Sequence, residues 1–399
     1  MLTLDRVYQA AYTLNGVARK TDLILSSNIA DNCELYLKAE NLQITGSFKV
    51  RGAYFKMAML TDEEKANGVI ACSAGNHAQG VALSAQRSGI KATIFIPSVA
   101  PLSKIEATER MGVEIKLIDG LYDDAFDAAV SFQKENDGVF VHPFDDVDVI
   151  AGQGTIGLEI LESISDLDAV IVPIGGGGLI SGVAFTIKKL NPDCKVYGVQ
   201  AKGADSMLGS FKSNERKCLR NISTFADGIA VKSPGAITYE LCRQYVDEIV
   251  SVTDDEIATA ILTLMEQQKL VSEGAGAVAV AAAMFNKLPI KGKKVCAIVS
   301  GGNIDVNILS RVINRGLLST GRLSELKIEM LDKPGQLKEV STIIADMGAN
   351  VIKVIHNPRG ENADIIGCFL NISIETKNKS HFLSIKQAIQ NAGYKFAEE

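Results

Sequence analysis

Four short segments carry residue types that can do chemistry. The first, residues 43–53 (QITGSFKVRGA), sets Lys49 just after a Gly46-Ser47 pair that favours a turn and a helix start. A lysine is a Schiff-base nucleophile only when its amine is partly deprotonated, which desolvation or a nearby cation promotes. Phe48 offers the apolar setting and Arg51 the cation. Taken alone, the segment fits a surface lysine equally well. The second segment runs Cys72, Ser73, Ala74, Gly75, Asn76, His77, between a strand-like run and a helical pattern. Successive N–H groups at such a helix start bind anions, and a substrate carboxylate fits there. Asn76 can hydrogen-bond a cofactor oxygen. An ordinary Gly-Asn turn with a helix cap would read the same way.

The third segment, residues 173–182 (PIGGGGLISG), removes every Cβ from Gly175, Gly176, Gly177 and Gly178, with Leu179 next. Such a backbone can wrap a phosphate. It is not the dinucleotide fingerprint, because Ile180 holds the sixth position, and no Lys-Ser or Lys-Thr follows to make a P-loop. A turn kept small for close helix approach is the competing reading. The fourth, residues 299–303 (VSGGN), contains Ser300 and is uninformative by itself.

These segments need elements to hold them. Residues 25–315 alternate short β-branched runs (33–37, 69–72, 91–96, 114–117, 169–172, 195–199, 294–299) with amphipathic stretches such as 77–88 and 103–111. Apolar, non-alternating strands separated by helices imply parallel sheets covered on both faces. Ligands then bind at the carboxyl ends of strands, where the glycine-bearing segments fall. The alanine-rich run 275–285 reads as a short buried helix. After residue 317 the pattern changes. Residues 318–322 read as a linker. A strand (327–331), the turn Asp332-Lys333-Pro334-Gly335, a helix (336–347), two alternating strands (351–356 and 365–375), a helix (379–391) and a strand near 394–396 follow. That order is βαββαβ. The predicted domains are 1–320, with a smaller subdomain over about 45–150, and 326–399.

Composition removes several function classes. The chain has 399 residues, 47% of them hydrophobic, and a net charge of −6 without a basic run, which argues against a nucleic-acid partner. Aromatics are 6% with no Trp, so no stacking surface for bases is expected. No apolar run is long enough for a membrane span, and the first residues do not read as a secretion signal. A cytoplasmic location is expected. The seven cysteines lack C-x-x-C spacing and read as buried reduced thiols, and the four histidines are scattered, so no metal site is expected.

S-F-K-x-R-G, S-A-G-N-H, the tetraglycine and S-G-G-N occur in this order. Together they resemble the fold-type II pyridoxal-phosphate enzymes of tryptophan synthase β-like architecture, and within them the threonine ammonia-lyase (threonine dehydratase) family. The resemblance covers residues 1–320. It implies two parallel-sheet subdomains and pyridoxal 5'-phosphate held covalently by Lys49, which then acts as base at Cα. Phe48 would lie beside the pyridine ring and Asn76 would bond its 3′-hydroxyl. Gly175, Gly176, Gly177, Gly178 and Leu179 would hold the phosphate, and Ser300 would face the ring nitrogen. Ser73, Ala74, Gly75, Asn76 and His77 would hold the substrate carboxylate. The implied substrates are L-threonine, giving 2-oxobutanoate and ammonia, and L-serine, giving pyruvate. Serine racemases of the same fold have a second serine where this chain has Ala74, which cannot carry a proton, so a lyase is favoured. Asp227 is the one residue nominated for a cation, and Ser223 stands where a divalent site would need a carboxylate. Glu273 is assigned no proton-transfer role. The C-terminal unit, with Asp332-Lys333-Pro334-Gly335-Gln336-Leu337, is similar to ACT domains, which implies an amino-acid effector, isoleucine or valine first, or an oligomerisation role without ligand. Relatives suggest a homodimer or homotetramer. The competing readings are serine dehydratase, serine racemase, a β-replacement synthase such as cysteine synthase, and a non-catalytic amino-acid sensor.

Overall fold

The computed structural model describes residues 1–357 and 367–397. It divides into two compact units, Met1–Ile308 and Leu309–Glu399. Among the described residues, fourteen strands form three sheets. In the first unit they are β1 (Leu23–Leu25), β2 (Glu34–Lys38), β3 (Val69–Cys72), β4 (Ala92–Pro97), β5 (Glu114–Ile118), β6 (Val139–Phe140), β7 (Ala169–Pro173), β8 (Lys195–Ala201), β9 (Glu248–Val252) and β10 (Lys294–Ile298). The second unit adds β11 (Leu323–Leu331), β12 (Asn350–Asn357), β13 (Gly367–Glu375) and β14 (Lys395–Phe396).

The large sheet has the order β1-β2-β10-β7-β8-β9 and is parallel except for the edge strand β1. The small sheet, β5-β4-β3-β6, is wholly parallel. Every residue of β3, β4 and β7 is buried, as expected when helices cover both faces. Two cores result. One packs Val170, Val172 and Ile180 under the large sheet, and the other packs Ala71, Ile94 and Val81 under the small one. Helix Gly274–Met284 has ten buried residues and lies against β7, β8 and β10 of the large sheet.

The second unit has the sheet order β12-β13-β11-β14, all antiparallel, with helices Gln336–Asp346 and Lys379–Asn391 on one face. Strand β11 alternates buried and exposed residues along its length, the mark of a sheet with one solvated face. The element order is βαββαβ. The strand predicted at 365–375 begins, within the described residues, at Gly367.

One sequence expectation is corrected. Leu318 and Ser319 do not form a linker, because helix Val306–Ser319 contains them. The chain then closes the helix end. Gly321 adopts φ +68°, its N–H donates to Leu318 O (3.0 Å), and Arg322 N–H donates to Leu317 O (2.9 Å). This pairing is the Schellman motif, in which a left-handed glycine lets the chain satisfy the last carbonyls. The small, polar composition that reads as a linker is here a helix cap. Of the cysteines, Cys72, Cys194, Cys242, Cys296 and Cys368 are buried free thiols as expected, while Cys33 is partly open and Cys218 is exposed.

Candidate active site

Turn chemistry brings Lys49 into place. Gly46 takes φ +71°, its N–H closes a turn on Gln43 O (2.7 Å), and Lys49 becomes the first residue of helix Lys49–Ala58. The turn is stitched to the loop after β10. Phe48 N–H donates to Ser300 O (3.2 Å), Gly302 N–H donates to Gly46 O (2.9 Å), and Ser47 bridges Gly301. Two of the four sequence segments are thus one structure. The Lys49 Nζ donates to Pro143 O (2.7 Å) and lies 5.4 Å from the Phe48 ring centroid. Burial of the amine lowers its pKa to about 8, against the opposing pull of Glu273, although the residue as a whole keeps partial exposure.

The glycine turn meets the lysine through the next residue, Phe144. A Cβ at Gly176 would fall 2.5 Å from the Phe144 ring, and one at Gly178 2.9 Å from its Cα. At Gly177, which holds φ +101° at the start of helix Gly178–Leu190, a Cβ would lie 2.7 Å from Met207. At Gly175 it would lie 3.0 Å from Ile229 Cα. Leu179 is buried behind them. The turn is therefore packed too closely for any side chain, which leaves its backbone N–H groups uncovered by Cβ atoms, and it opens a 13-residue helix at the anion-binding end. Thr238 Oγ1 and the Gly235 N–H both donate to Gly176 O, which fixes the peptide planes.

The segment after β3 opens helix Asn76–Ser88. Ser73 Oγ accepts from Gly75 N–H (3.2 Å), and Ala74 and Gly75 keep partial exposure. Asn303 Nδ2 donates to Asn76 Oδ1 (2.8 Å) and Thr45 O (2.7 Å). This leaves the Asn76 NH2 as the donor end, and one of its protons goes to Glu273 Oε1 (2.6 Å). His77 is buried, and burial, then the Lys49 charge, lowers its pKa to about 3. The ring is neutral. Its Nε2 pairs with Val141 O (2.7 Å), which assigns that nitrogen the proton, and Nδ1 has no partner among the described residues. Ser300 is buried and its hydroxyl reaches Ala275 O (3.3 Å).

Two residues differ from their sequence reading. Arg51 is not the cation beside Lys49. Residues i and i+2 of a helix do not face one another, and Arg51 points inward to Glu40 (2.8 Å) and Glu159 (2.6 Å), with Lys38 also on Glu159 (2.5 Å). Glu273 reads from the sequence as the start of a helix close to the cofactor, with no proton-transfer role. It is 4% exposed, stands at the N-cap position of helix Gly274–Met284 without a side-chain capping bond, bonds Asn76 and faces Lys49. Burial, then the Asp227 charge, raises its pKa to about 7. A carboxylate directly before a wholly apolar helix was the available signal. Asp227 forms an ion pair with Lys104 and accepts from Gly228 N–H (2.8 Å).

A depressed lysine amine, a Cβ-free anion cradle and polar groups between them suit a phosphate-bearing aldehyde. The family profile for "pyridoxal-phosphate dependent enzyme" matches residues 14–301. The chain belongs to that family. A second profile, the ACT domain, matches residues 324–376. The L-threonine ammonia-lyase of Thermotoga maritima is 50% identical over 99% of this chain and 98% of its own. The catabolic L-threonine dehydratase TdcB of Escherichia coli K12 is 47% identical over 78% of this chain and 96% of its own. Among solved structures, processed threonine deaminase isoform 2 from Solanum lycopersicum superimposes with a TM-score of 0.74 at 39% identity, covering 78% of this chain and 94% of that one. Maize serine racemase gives 0.74 at 34% identity, covering 80% and 98%. Among the described residues no helix is long and apolar enough to cross a membrane.

Proposed function

We propose that this chain is a pyridoxal-phosphate-dependent L-threonine ammonia-lyase that also accepts L-serine. The observation that carries the reading is the buried Lys49 amine at Pro143 O, one residue from the ring that packs on the tetraglycine cradle. When bound, pyridoxal phosphate supplies an electron sink for the pair released at the amino acid's Cα. Lys49 would hold the cofactor through its amine, and that amine would be the base for the Cα proton. Its depressed pKa leaves a usable fraction of free amine near neutrality. Gly175, Gly176, Gly177, Gly178 and Leu179 would hold the phosphate through backbone N–H groups. Phe48 would flank the ring. Asn76 would donate to the 3′-hydroxyl with the amide proton that Glu273 leaves free. The N–H groups and Ser73 hydroxyl of residues 73–77 orient the substrate carboxylate, so that the Cα–H bond stands over Lys49. Ser300, a neutral hydroxyl, would face the ring nitrogen without demanding a proton there, which would favour loss of the β-hydroxyl. Overall, threonine loses water, regains it on hydrolysis of the released enamine's imine form, and yields 2-oxobutanoate and ammonia.

Ala74 supports elimination over racemisation, because a methyl group cannot deliver a proton to the opposite face. A serine racemase is the second reading, carried by the likeness to the maize enzyme. We further propose residues 1–320 as the catalytic domain, with residues 45–150 as its smaller part, and residues 326–399 as an effector domain for an amino acid such as isoleucine. A cytoplasmic homodimer or homotetramer completes the proposal. The test is borohydride reduction of the cofactor-loaded protein with peptide mapping, followed by a 2-oxobutanoate assay and chiral analysis of recovered serine. Label on a residue other than Lys49, or D-serine as the main product, sinks the reading.

A further inference from the structure

The C-terminal unit contains a side-chain cluster outside the machinery above. Asp332 follows β11, His356 lies near the end of β12, and Cys368 is the second residue of β13. In the order β12-β13-β11-β14, Cys368 is on the middle strand of these three, flanked by the strands that carry or lead to the other two residues. Register sets them on one face. Met330 pairs with Cys368, and Asp332 is two residues beyond Met330. His356 pairs with Leu370, two residues beyond Cys368. Directly opposed residues, and residues two apart on a strand, share a face. The flanking strands are about 9–10 Å apart, yet His356 Nε2 lies 3.4 Å from Asp332 Oδ1. The imidazole and the carboxylate therefore lean together over the Cys368 thiol. One ligand atom from each of the three lies within 4.8 Å of the other two.

We propose that Asp332, His356 and Cys368 form a binding site for a divalent cation of the zinc class, with solvent in the fourth position. Sulfur, imidazole nitrogen and carboxylate oxygen form the mixed donor set that Zn²⁺ takes. Tetrahedral zinc with its usual bond lengths holds such donors roughly 3.3–3.8 Å apart. A contraction of about 1 Å closes the present cluster around an ion. Among the described residues the entry side is open, because the His356 and Asp332 side chains are 44% and 49% exposed, while Cys368, 2% exposed, forms the floor. The spacing hides the site in the sequence, since the three residues stand 24 and 12 positions apart (356 − 332 and 368 − 356). The competing arrangement is a plain surface ion pair over a core cysteine.

The two are separated by titrating chelator-stripped, full-length holoenzyme with zinc chloride, reading stoichiometry by metal analysis and coordination by zinc-edge X-ray absorption. The expected result is one tightly held zinc per chain with one sulfur neighbour. His356→Gln and Asp332→Asn, both at exposed positions, are each expected to weaken binding roughly tenfold or more. Cys368→Ser is expected to remove the sulfur signal, and Cys218→Ser, at the exposed thiol, to leave it. No zinc retained on gel filtration, equal affinity in wild type and His356→Gln, or a sulfur signal lost with Cys218→Ser instead, overturns the site. The two exposed-position variants decide the matter even if Cys368→Ser folds poorly.

Discussion

Lys49 and Glu273 are the two ionisable groups whose burial matters most to the site. The lysine lowers its own charge because its amine is taken from water and given one backbone carbonyl. Glu273 responds to the same interior in the opposite sense, since burial raises a carboxyl. The folded value of about 7 exceeds the ordinary 4.5, so between those pH values the native state binds the extra proton and stability falls as pH rises. Glu273→Gln removes the ionisation and is expected to flatten that slope, with a gain over wild type of at most about 2–3 kcal/mol above pH 7. Thermal melts of both proteins across pH 4.5–8 check the sign. The variant is also expected to shift the pH dependence of the bound cofactor's absorbance, which a residue serving only as a helix cap would leave unmoved. A second expectation concerns Ala74. A hydroxyl placed there by Ala74→Ser is expected to raise D-serine formation above the wild-type level, measured by chiral chromatography. Lys49, Asn76 and the four glycines could be nominated from the sequence because each lies in a short contiguous motif. Residue chemistry was hidden for Glu273, whose partners Asn76 and Lys49 lie about two hundred positions upstream. Arg51 misled because its neighbour in sequence is not its neighbour in space.

The helices that carry the site approach one another more closely than side chains permit. Gly152, in helix Val147–Ser163, sits so near helix Lys49–Ala58 that a Cβ there would lie 2.6 Å from Gly52 Cα and 2.7 Å from Arg51 O. Backbone cannot yield as a flexible side chain can, so Gly152→Ala has to push the lysine helix. A loss of about 1–3 kcal/mol is expected from such overpacking, read as a lower melting temperature, together with weaker cofactor retention. Gly176→Ala tests the cradle itself. Its added methyl meets the Phe144 ring, and cofactor affinity is expected to fall roughly tenfold or more, about 1.4 kcal/mol, by equilibrium dialysis against pyridoxal phosphate. The elements were legible because β-branched, fully apolar runs can only be strands covered on both sides, and β3 and helix Lys379–Asn391 fall where the pattern put them. The helix end at Ser319 was not, since a Thr-Gly pair closes a helix and opens a linker with the same composition.

At the scale of the whole chain, each unit has its own core, one around Val172 and Ala71 and the other around Ile328 and Ile385. A chain ending after Thr320 is therefore expected to load cofactor and deaminate threonine while losing any response to isoleucine that the full chain shows, measured by 2-oxobutanoate release with and without isoleucine. Equal responses in both chains would remove the effector role from the C-terminal unit.

The stitch between the lysine turn and the loop after β10 also governs when the enzyme can mature. Residues 46–48 are stitched to residues 300–302, and β2 finds its inner neighbour only in β10. A ribosome must therefore release nearly the whole first unit before Lys49 has walls around it. Cofactor capture is expected late in synthesis, and a nascent chain halted at β9 is expected to stay colourless when offered pyridoxal phosphate.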